Sequence, residues 1–589
     1  MRWSTILVVL IAPAVPAAAQ VCTVERISVD ANGGEGDGFS TQPAITPDGR
    51  FVVFVSTSTN LVPGDTNSVG DVFVRDLLAG TIERASVGPG GVESDAACSY
   101  PAISDDGRYV AFNTAASTFD PGDTNGALDV YLRDRWSGTI ERVSFGTGGA
   151  PGDGPSFAPT LADGAHFVLF VSWAGNLVPG DTNATRDVFL RDRVSGVTER
   201  VSVSSAGAEG DDMSGSSTLL SFATPDGRFV VFGSLASTLA AGDANSGADV
   251  FLRDRAAGTT TLLVQAPGGG SPNGQTELGS MTRDGRFVGF ASSAAGLVAG
   301  DTNGTTDSFV LDRSNGTIER VSIPNVGGES AGDSWAPSIS QDGRFAVFAS
   351  SAADIVAGDT NDRRDVFRRD RLAATTERYV LAGGFAQPLD DVFSAAPTAS
   401  GDRVAFAYAG DDMVVADFNA ASDVFVSNCT TGRPFCSGDG TSAACPCQNV
   451  GAWNAGCPNS AGSGAILSGE GRALVANDTL ALLVRELPPH TVVLFLQGSS
   501  QQSGGMGATF GDGLRCVAGS IVRLGTRVAP AGSSTWGFGA PGSPLLSLQS
   551  NVPSGGAVRL YQAWYRNAAA FCTASTFNLS NGLEVTWLP

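Results

Sequence analysis

Seven short loops of this 589-residue chain share the pattern D-x-N-x-x-x-D, which combines two carboxylates with an amide. Oxygen-bearing side chains at alternating loop positions suit a hard cation such as calcium. Backbone carbonyls and water would complete the coordination shell of the ion. The pattern therefore predicts seven candidate calcium sites. Their residues are Asp65, Asn67 and Asp71; Asp123, Asn125 and Asp129; Asp181, Asn183 and Asp187; Asp243, Asn245 and Asp249; Asp301, Asn303 and Asp307; Asp359, Asn361 and Asp365; Asp417, Asn419 and Asp423.

The same loops have a second interpretation, which the sequence leaves open. Asp and Asn side chains hydrogen-bond their own backbone and tolerate turn conformations, so a turn rebuilt in every copy also explains the pattern. An EF-hand loop has more acidic ligands and a terminal Glu, and that pattern is incomplete here. In the second interpretation the loops form turns and hold no metal.

The elements that carry these loops recur with the same period. The first Asp of one loop lies 58 residues before the first Asp of the next, with a single interval of 62. Each repeat holds four short runs rich in Val, Ile and Phe and bounded by Gly or Asp turns, which is typical of β-strands. Four strands per repeat, arranged radially, predict an all-β chain with a seven-bladed β-propeller of four-stranded blades.

The ends of the repeat region predict how the ring closes. A fourth strand follows each of the first six loops, with a divergent copy at residues 259–264, but none follows Asp423. The missing copy lies at residues 24–28, and this N-terminal strand should complete the last blade and leave no open sheet edge. Cys22 and Cys429 would then meet at one end of that blade, and we expect them to form a disulfide.

Other charged residues of the repeat have structural interpretations. The Glu-Arg pairs of the fourth strands, such as Glu83-Arg84, are expected to form surface ion pairs between neighbouring strands, which are individually weak. Asp76 and its equivalents are the first residues of the turn between strands three and four, where the pattern Asp-x-x-x-Gly is typical of a hairpin turn. The D-x-N loops and the Gly-rich links between blades should share one face of the ring, which we expect to be strongly acidic.

Two segments of the repeats carry a resemblance to a known family. They are P-A-I-S-D-D-G-R at residues 101–108 and P-S-I-S-Q-D-G-R at residues 337–344. These segments resemble the TolB-type, WD40-like propeller repeat of exported bacterial proteins, and the resemblance covers about residues 24–428. It implies a propeller fold and a protein partner, but no particular activity, because propellers host both binding and catalysis.

No group of residues in the sequence indicates nucleophilic catalysis. The chain has two histidines, His166 and His490, no G-x-S-x-G motif and no lysine, which removes Schiff-base chemistry and a P-loop. We therefore expect a non-enzymatic binding module for a protein or an envelope or extracellular polymer, with calcium as its candidate cofactor. Carboxylates alone can cleave glycans, so a glycan-acting hydrolase or lyase in the propeller funnel stays open, as does a structural envelope protein.

Residues 430–589 differ in character from the repeats. Strand-like runs alternate there with cysteines, which predicts a small disulfide-stapled β-sandwich. The cysteines are Cys436, Cys445, Cys447, Cys457, Cys516 and Cys572. A zinc site at Cys445 and Cys447 is the alternative.

Two further features of this C-terminal region bear on function. The run from Phe435 to Ser460 resembles a cysteine-bearing module at the C-termini of exported bacterial proteins, a resemblance that implies no activity. We interpret the aromatic side chains near the C-terminus as core, with a ligand platform as the alternative. They are Tyr561, Trp564, Tyr565 and Phe571.

Composition and the N-terminus predict an exported protein. Residues 1–19 have the basic start, short apolar run and small-residue cleavage site of a secretory signal, which leaves a propeller at 20–429 and a sandwich-like domain at 430–589. A net charge of −23 argues against nucleic-acid partners. Nine cysteines fit an oxidising compartment. We expect a monomeric propeller without a transmembrane segment, in the periplasm, on the cell surface or outside the cell.

Overall fold

The computed structural model describes most of the chain. The described residues are 23–162, 164–216, 220–379, 388–398, 401, 403–414, 417, 419, 421–428, 432–438, 440, 442–446, 455–470, 473, 475, 478, 480–530, 532–538, 540, 542–567, 573 and 575–587. The predicted signal at 1–19 lies outside them. The chain divides into two compact units at the boundary between residues 429 and 430. Within the described residues, no helix is long and apolar enough to cross a membrane.

The first unit is a seven-bladed β-propeller, as predicted, and each blade is an antiparallel four-stranded sheet. The first strands are Ser40–Ile45, Cys98–Ile103, Ser156–Ala162, Ser221–Ala223, Thr276–Met281, Ser338–Ile339 and Val392–Pro397. The second strands are Phe51–Ser56, Tyr109–Thr114, Phe167–Ser172, Phe229–Ser234, Phe287–Ser292, Phe345–Ser350 and Arg403–Tyr408. The third strands are Asp71–Asp76, Asp129–Asp134, Asp187–Asp192, Asp249–Asp254, Asp307–Asp312, Asp365–Asp370 and Asp423–Asn428. The fourth strands are Thr81–Arg84, Thr139–Arg142, Val197–Arg200, Thr259–Leu262, Thr317–Arg320, Thr375–Arg378 and, for the last blade, Thr23–Arg26.

The second and third strands form the apolar centre of each blade. Both faces of these strands are buried, because each blade packs against a neighbour on either side. In blade one, Phe54 on the second strand stacks on Phe73 on the third, with ring centres 5.9 Å apart. Burying such a side chain stabilises the fold by about 1.5–3 kcal/mol. The same pair recurs as Phe170–Phe189, Phe232–Phe251, Phe290–Phe309, Phe348–Phe367 and Phe406–Phe425.

The first strands line the axis of the ring. Consecutive first strands contact one another all the way round, and the last contacts the first. At the end where the first and second strands join, Arg283 of blade five reaches across to Asp105 of blade two and forms an ion pair. The Arg283 backbone N–H also donates to the Gln341 side chain of blade six. This turn end of the axis is therefore bridged by side chains.

The N-terminal strand closes the ring as predicted. Thr23–Arg26 pairs antiparallel with Asp423–Asn428, and Thr23 lies opposite Asn428. The Ile27 backbone N–H continues the ladder by donating to the Val424 carbonyl at 2.8 Å. Cys22 and Cys429, the predicted disulfide partners, lie outside the described residues.

The second unit is built from two main sheets around one core. The five-stranded sheet has the order Arg433–Phe435, Phe577–Trp587, Ala557–Arg566, Thr491–Gly498 and Val522–Ala529. The three-stranded sheet has the order Ile466–Glu470, Ala481–Arg485 and Ser534–Gly537. Leu482 of the smaller sheet and Phe495 of the larger belong to the same buried cluster, which is the arrangement of a β-sandwich. Tyr561 and Tyr565 are fully buried in it, so the core interpretation of these residues is confirmed.

Short elements and, among the described residues, two disulfides also belong to this unit. The shorter elements are the ladders Ser500–Gln501 with Val517–Ala518 and Ala508–Phe510 with Gly513–Arg515, and the helix Leu546–Gln549. Cys436 is bonded to Cys516, and Cys445 to Cys457. The zinc alternative for Cys445 is therefore wrong, because a disulfide sulfur is not a thiolate ligand. Cys447, Cys572 and Phe571 lie outside the described residues.

Candidate functional site

The amide of every D-x-N loop makes a turn. Asn67 Oδ1 accepts a hydrogen bond from the Val69 backbone N–H at 3.2 Å, and its Nδ2 donates to the Ser94 carbonyl at 3.1 Å. Ser94 belongs to the link into the next blade, so loops and links do share one end of the propeller, here called the loop face. The same turn bond recurs at Asn67, Asn125, Asn183, Asn245, Asn303, Asn361 and Asn419. The Asx-turn interpretation is confirmed for these asparagines.

The carboxylates of six loops surround a buried arginine from the fourth strand of the same blade. In blade three, the Arg200 guanidinium lies 3.1 Å from Asp181, 3.2 Å from Asp187 and 3.0 Å from Glu209. Only 7% of the Arg200 side chain is exposed. The equivalent arginines are Arg26, Arg84, Arg142, Arg320 and Arg378. In these six blades the cation facing the predicted metal ligands is a guanidinium.

The position of these arginines corrects the expectation that the Glu-Arg pairs form surface ion pairs. Arg84 is buried against Asp65 and Asp71 at 3.0 and 3.3 Å, whereas its neighbour Glu83 is exposed and pairs with Arg135 of the next blade. The reason is the alternation of a β-strand, in which successive side chains point to opposite faces. The arginine therefore points inward, toward the loop, and the glutamate outward.

Burial dominates the electrostatics of these loops. Desolvation raises the pKa of Asp181 to about 6, against the lowering effect of Arg200. Desolvation also raises the pKa of Asp187, although Ser202 donates a hydrogen bond to it at 2.6 Å. The more exposed Glu209 has a lowered pKa, because Thr182 donates to it from its hydroxyl and its backbone N–H. In these loops the guanidinium therefore compensates the negative charge of the buried carboxylates.

Blade seven brings together three carboxylates that could hold a metal. One oxygen each of Glu35, Asp417 and Asp423 lies within 4.8 Å of the others. Arg26 lies 2.5 Å from Glu35, 3.6 Å from Asp417 and 3.4 Å from Asp423. Burial raises the pKa of Asp417 and that of Asp423 to about 6. A metal at this triad would compete with Arg26 for the same oxygens.

The loop of blade four lacks the arginine, because Leu262 stands in its place. Asp249 is completely buried, and among the described residues neither oxygen of its carboxylate has a hydrogen-bond partner. Burial and the nearby Asp243 raise the pKa of Asp249 to about 7. The D-x-N pattern is the same in all seven loops, and the divergent strand at 259–264 is the sequence signal of this difference. Calcium binding at the seven loops stays a prediction.

The loop face keeps its acidic surface through the links between blades. Asp37 is exposed, and Thr59 donates to it from its backbone N–H at 2.7 Å and its hydroxyl at 2.8 Å. Burial acts to raise the pKa of Asp37, but these hydrogen bonds outweigh it and lower the pKa below the ordinary value. Asp95 and Asp211 are exposed in the same position of the next links and also have lowered pKa values. These carboxylates are ionised at neutral pH and available to a partner.

A cleft of about 150 Å³ opens beside the first strands of blades five and six, at their loop-face ends. Glu277, Asp333 and Trp335 are among the residues that line it. The Arg364 guanidinium lies 3.7 Å from the centre of the half-buried Trp335 ring and orients it. Burial raises the pKa of Glu277, and nothing among the described residues pairs with its carboxylate. This cleft was not predicted from the sequence, because its residues come from two blades and follow no motif.

The two histidines have different surroundings. His166 Nε2 lies 3.1 Å from Asp192, and the ring stacks on Phe167. In blade one the same position is Arg50, which contacts Asp76 at 2.9 Å. Asp192 also accepts hydrogen bonds from the next backbone N–H groups, so the turn role of these aspartates is confirmed. His490 has a positive φ of 59° and lies in a turn.

Comparison with known proteins gives a likeness at the level of the fold. No protein-family model matches the chain, and no curated protein does. An oligogalacturonate lyase in complex with manganese matches at 11% identity and a TM-score of 0.44, over 70% of this chain and 94% of that chain. The β-propeller domain of the Trilobed protease from Pyrococcus furiosus matches at 8% identity and a TM-score of 0.38, over 63% and 91% of the two chains.

A putative TolB from Agrobacterium tumefaciens is also similar, at 15% identity and a TM-score of 0.31, over 48% of this chain and 80% of that chain. Likeness at this level carries no conclusion about activity, ligand or partner. The resemblance of the C-terminal cysteines to a module of exported proteins stays a prediction.

Proposed function

We propose that this chain is an exported, non-enzymatic binding module that recognises an extracellular polymer or a protein through its acidic loop face. The observation that carries the proposal is the cleft with Glu277 and Trp335 at the inner edge of that face. Calcium is its proposed cofactor.

The chemistry of the cleft favours a ligand rich in hydroxyl groups, such as a polysaccharide. The half-buried Trp335 ring offers an apolar surface on which a sugar ring can stack, and Arg364 restrains its orientation. Glu277 supplies an acceptor that no described neighbour uses, so a ligand hydroxyl would not have to displace one of them. An apolar surface with a few converging polar groups is the usual composition of a small binding site.

Export of the protein is supported by its disulfides. Two disulfides lie in the second unit, and disulfides persist in oxidising compartments. The net charge of −23 makes an anionic partner such as nucleic acid unfavourable. A neutral glycan or a basic protein surface avoids that repulsion.

The proposal is tested by binding of the purified protein to a panel of polysaccharides and proteins. Trp335→Ala and Glu277→Gln should each weaken binding of the best ligand by roughly tenfold or more, because each removes a contact at the centre of the cleft. Trp136→Ala is the matched control, since Trp136 is 69% exposed on a turn between strands three and four. Unchanged affinity in both cleft variants would show that the ligand binds elsewhere.

A glycan-acting hydrolase or lyase is the second candidate, and Glu277 is the observation that favours it. A half-buried carboxyl with a raised pKa can act as a general acid, and Asp333 supplies a second carboxylate in the same cleft. Incubation with the bound polysaccharide, followed by measurement of new chain ends, separates the two functions. Product formation that Glu277→Gln abolishes without loss of binding would establish the enzyme.

A further inference from the structure

Blade four differs from the other six blades at the centre of its D-x-N loop. Leu262 occupies the position of the buried arginine, and Val264 occupies the position of Ser202 in blade three. The turn itself is retained, because the Gly247 backbone N–H donates to Asn245 Oδ1 at 2.7 Å. Both aspartates are therefore in place while their positive partner is missing.

We infer that the blade-four loop binds one hard divalent cation, calcium in the first instance, between Asp243 and Asp249. The ion takes the place that a guanidinium occupies in the other blades. This inference stands on the comparison of the blades and does not depend on the binding function proposed above.

Asp187 of blade three shows what Asp249 has lost. Asp187 accepts hydrogen bonds from Asn183 at 3.2 Å, from Ser202 at 2.6 Å and from Arg200 at 3.2 Å. In blade four the last two donors are replaced by aliphatic side chains. Asn245 Nδ2 donates to the Pro272 carbonyl at 2.7 Å, as Asn183 Nδ2 does to the Gly210 carbonyl in blade three. Asp249 is as deeply buried as Asp187, with 0% exposure for each.

Such a carboxylate must be compensated. An ionised carboxylate buried without a partner is strongly unfavourable, and the six other blades provide the compensation with a guanidinium. In blade four, both Asp249 oxygens and Asp243 Oδ1 are buried without a hydrogen-bond partner among the described residues. Two carboxylates that offer oxygen alone, on a loop whose turn is intact, suit calcium, which takes carboxylates together with backbone oxygens and water. Neither thiolate nor imidazole is part of the cluster, so a soft metal is disfavoured.

The test is the number of calcium ions bound by the full mature chain. Wild type, Leu262→Arg and Asp249→Asn are stripped with chelator and titrated with calcium by calorimetry at pH 7.5, with metal content measured in parallel. The wild type should bind one ion more per chain than either variant. Leu262→Arg restores the guanidinium of the other blades, and Asp249→Asn removes one charge with little change of shape.

Asp187→Asn in blade three is the matched control and should keep the wild-type number of ions. Equal stoichiometry in all four proteins would overturn the inference, because any calcium would then bind elsewhere. Absence of binding by the wild type at 10 mM calcium would also overturn it and would mean that Asp243 and Asp249 share a proton instead. If Leu262→Arg fails to fold, the comparison between Asp249→Asn and Asp187→Asn decides.

Discussion

Asp187 and Asp249 occupy the same position in neighbouring blades and are equally buried, but Asp187 alone has an arginine beside it. The comparison isolates what the guanidinium does, because the two loops share the same Asx turn. In blade three the buried negative charge is neutralised by Arg200 of the same blade. In blade four it has to be neutralised by a proton or a cation from solution.

Removal of the arginine from blade three should reproduce the state of blade four. We expect Arg200→Leu to lower the free energy of unfolding of the propeller by about 3 kcal/mol or more, since it leaves Asp181 and Asp187 buried without their cation. Denaturant unfolding measures the change. Glu199→Ala is the control, because Glu199 pairs with Arg255 at the surface and should contribute less than about 1 kcal/mol. A loss from Arg200→Leu no larger than that of the control would contradict the prediction.

Asp249 should also make stability depend on pH when calcium is absent. Its pKa is about 7 in the folded chain, above the ordinary value of about 3.9, so the folded state holds a proton that the unfolded state has released between about pH 4 and pH 7. Stability therefore falls as pH rises through that window. Asp243, which faces Asp249, has a raised pKa as well and acts in the same direction.

The melting temperatures of the wild type and of Asp249→Asn are to be compared in the presence of chelator between pH 5 and pH 8. We expect the melting temperature of the wild type to fall over this range by several degrees more than that of Asp249→Asn, because the variant lacks the titrating group. Thermal melts of both proteins at several pH values measure the difference. Parallel pH profiles for the two proteins would mean that Asp249 does not titrate in this range.

Sequence alone gave the turn role of the asparagines as one of two interpretations, because an Asx turn depends on residues two positions apart. It did not predict the arginine partners. Arg200 is 13 residues from Asp187 in the chain, and the two meet because strands three and four pair in a particular register. Strand alternation, applied to the T-E-R end of the fourth strand, would have placed the arginine inward.

The elements of the propeller were predictable because each is short, apolar and bounded by turns. Phe51–Ser56 and Asp71–Asp76 both coincide with runs of Val and Phe in the sequence. The first strands were less clear, since several contain a break in register, as between Thr41 and Ala44. A break of that kind shifts which side chains face the axis, so the lining of the cleft could not be derived from alternation.

In four blades the fourth strand also connects to the next blade. Its glutamate pairs with an arginine that follows the third strand of the next blade. These pairs are Glu83–Arg135, Glu141–Arg193, Glu199–Arg255 and Glu319–Arg371. Blade four has Thr261 at the glutamate position, so its junction with blade five lacks this contact. Blade four therefore differs from these four blades at its outer edge as well as at its loop. In blade six, Glu377 pairs with Arg368 of its own blade.

The closing strand carries a prediction about covalent structure. Thr23 lies opposite Asn428, so the residues that come next in the sequence, beyond the ends of the two paired strands, are Cys22 and Cys429. We expect them to form a disulfide, because antiparallel neighbours at the end of a ladder are within reach of one. Peptide mapping under non-reducing conditions should give a cross-linked peptide that reductant separates. Recovery of either cysteine as a free thiol in the folded, untreated protein would contradict the prediction, and Cys98, buried and free, is an internal standard for such a thiol.

At the scale of the molecule, the period of the sequence predicted the number of blades and the closure of the ring. A ring has to be closed by some strand, and the missing fourth strand identified which one. The second unit was predictable as a sandwich from its strand runs, but its disulfides were not, because six cysteines allow 15 pairings. The cleft beside blades five and six was not predictable either, since its lining residues come from two blades and follow no motif.

The ion pair between Arg283 and Asp105 has a consequence for the route of any ligand. The two residues meet across the axis from blades two and five, at the end opposite the D-x-N loops. A polymer threading the ring would have to separate them, whereas one that enters from the loops can leave the same way. If the ligand is a polymer, as proposed, we therefore expect the ring to take it from the loop face, by its end or its side, rather than to thread along it.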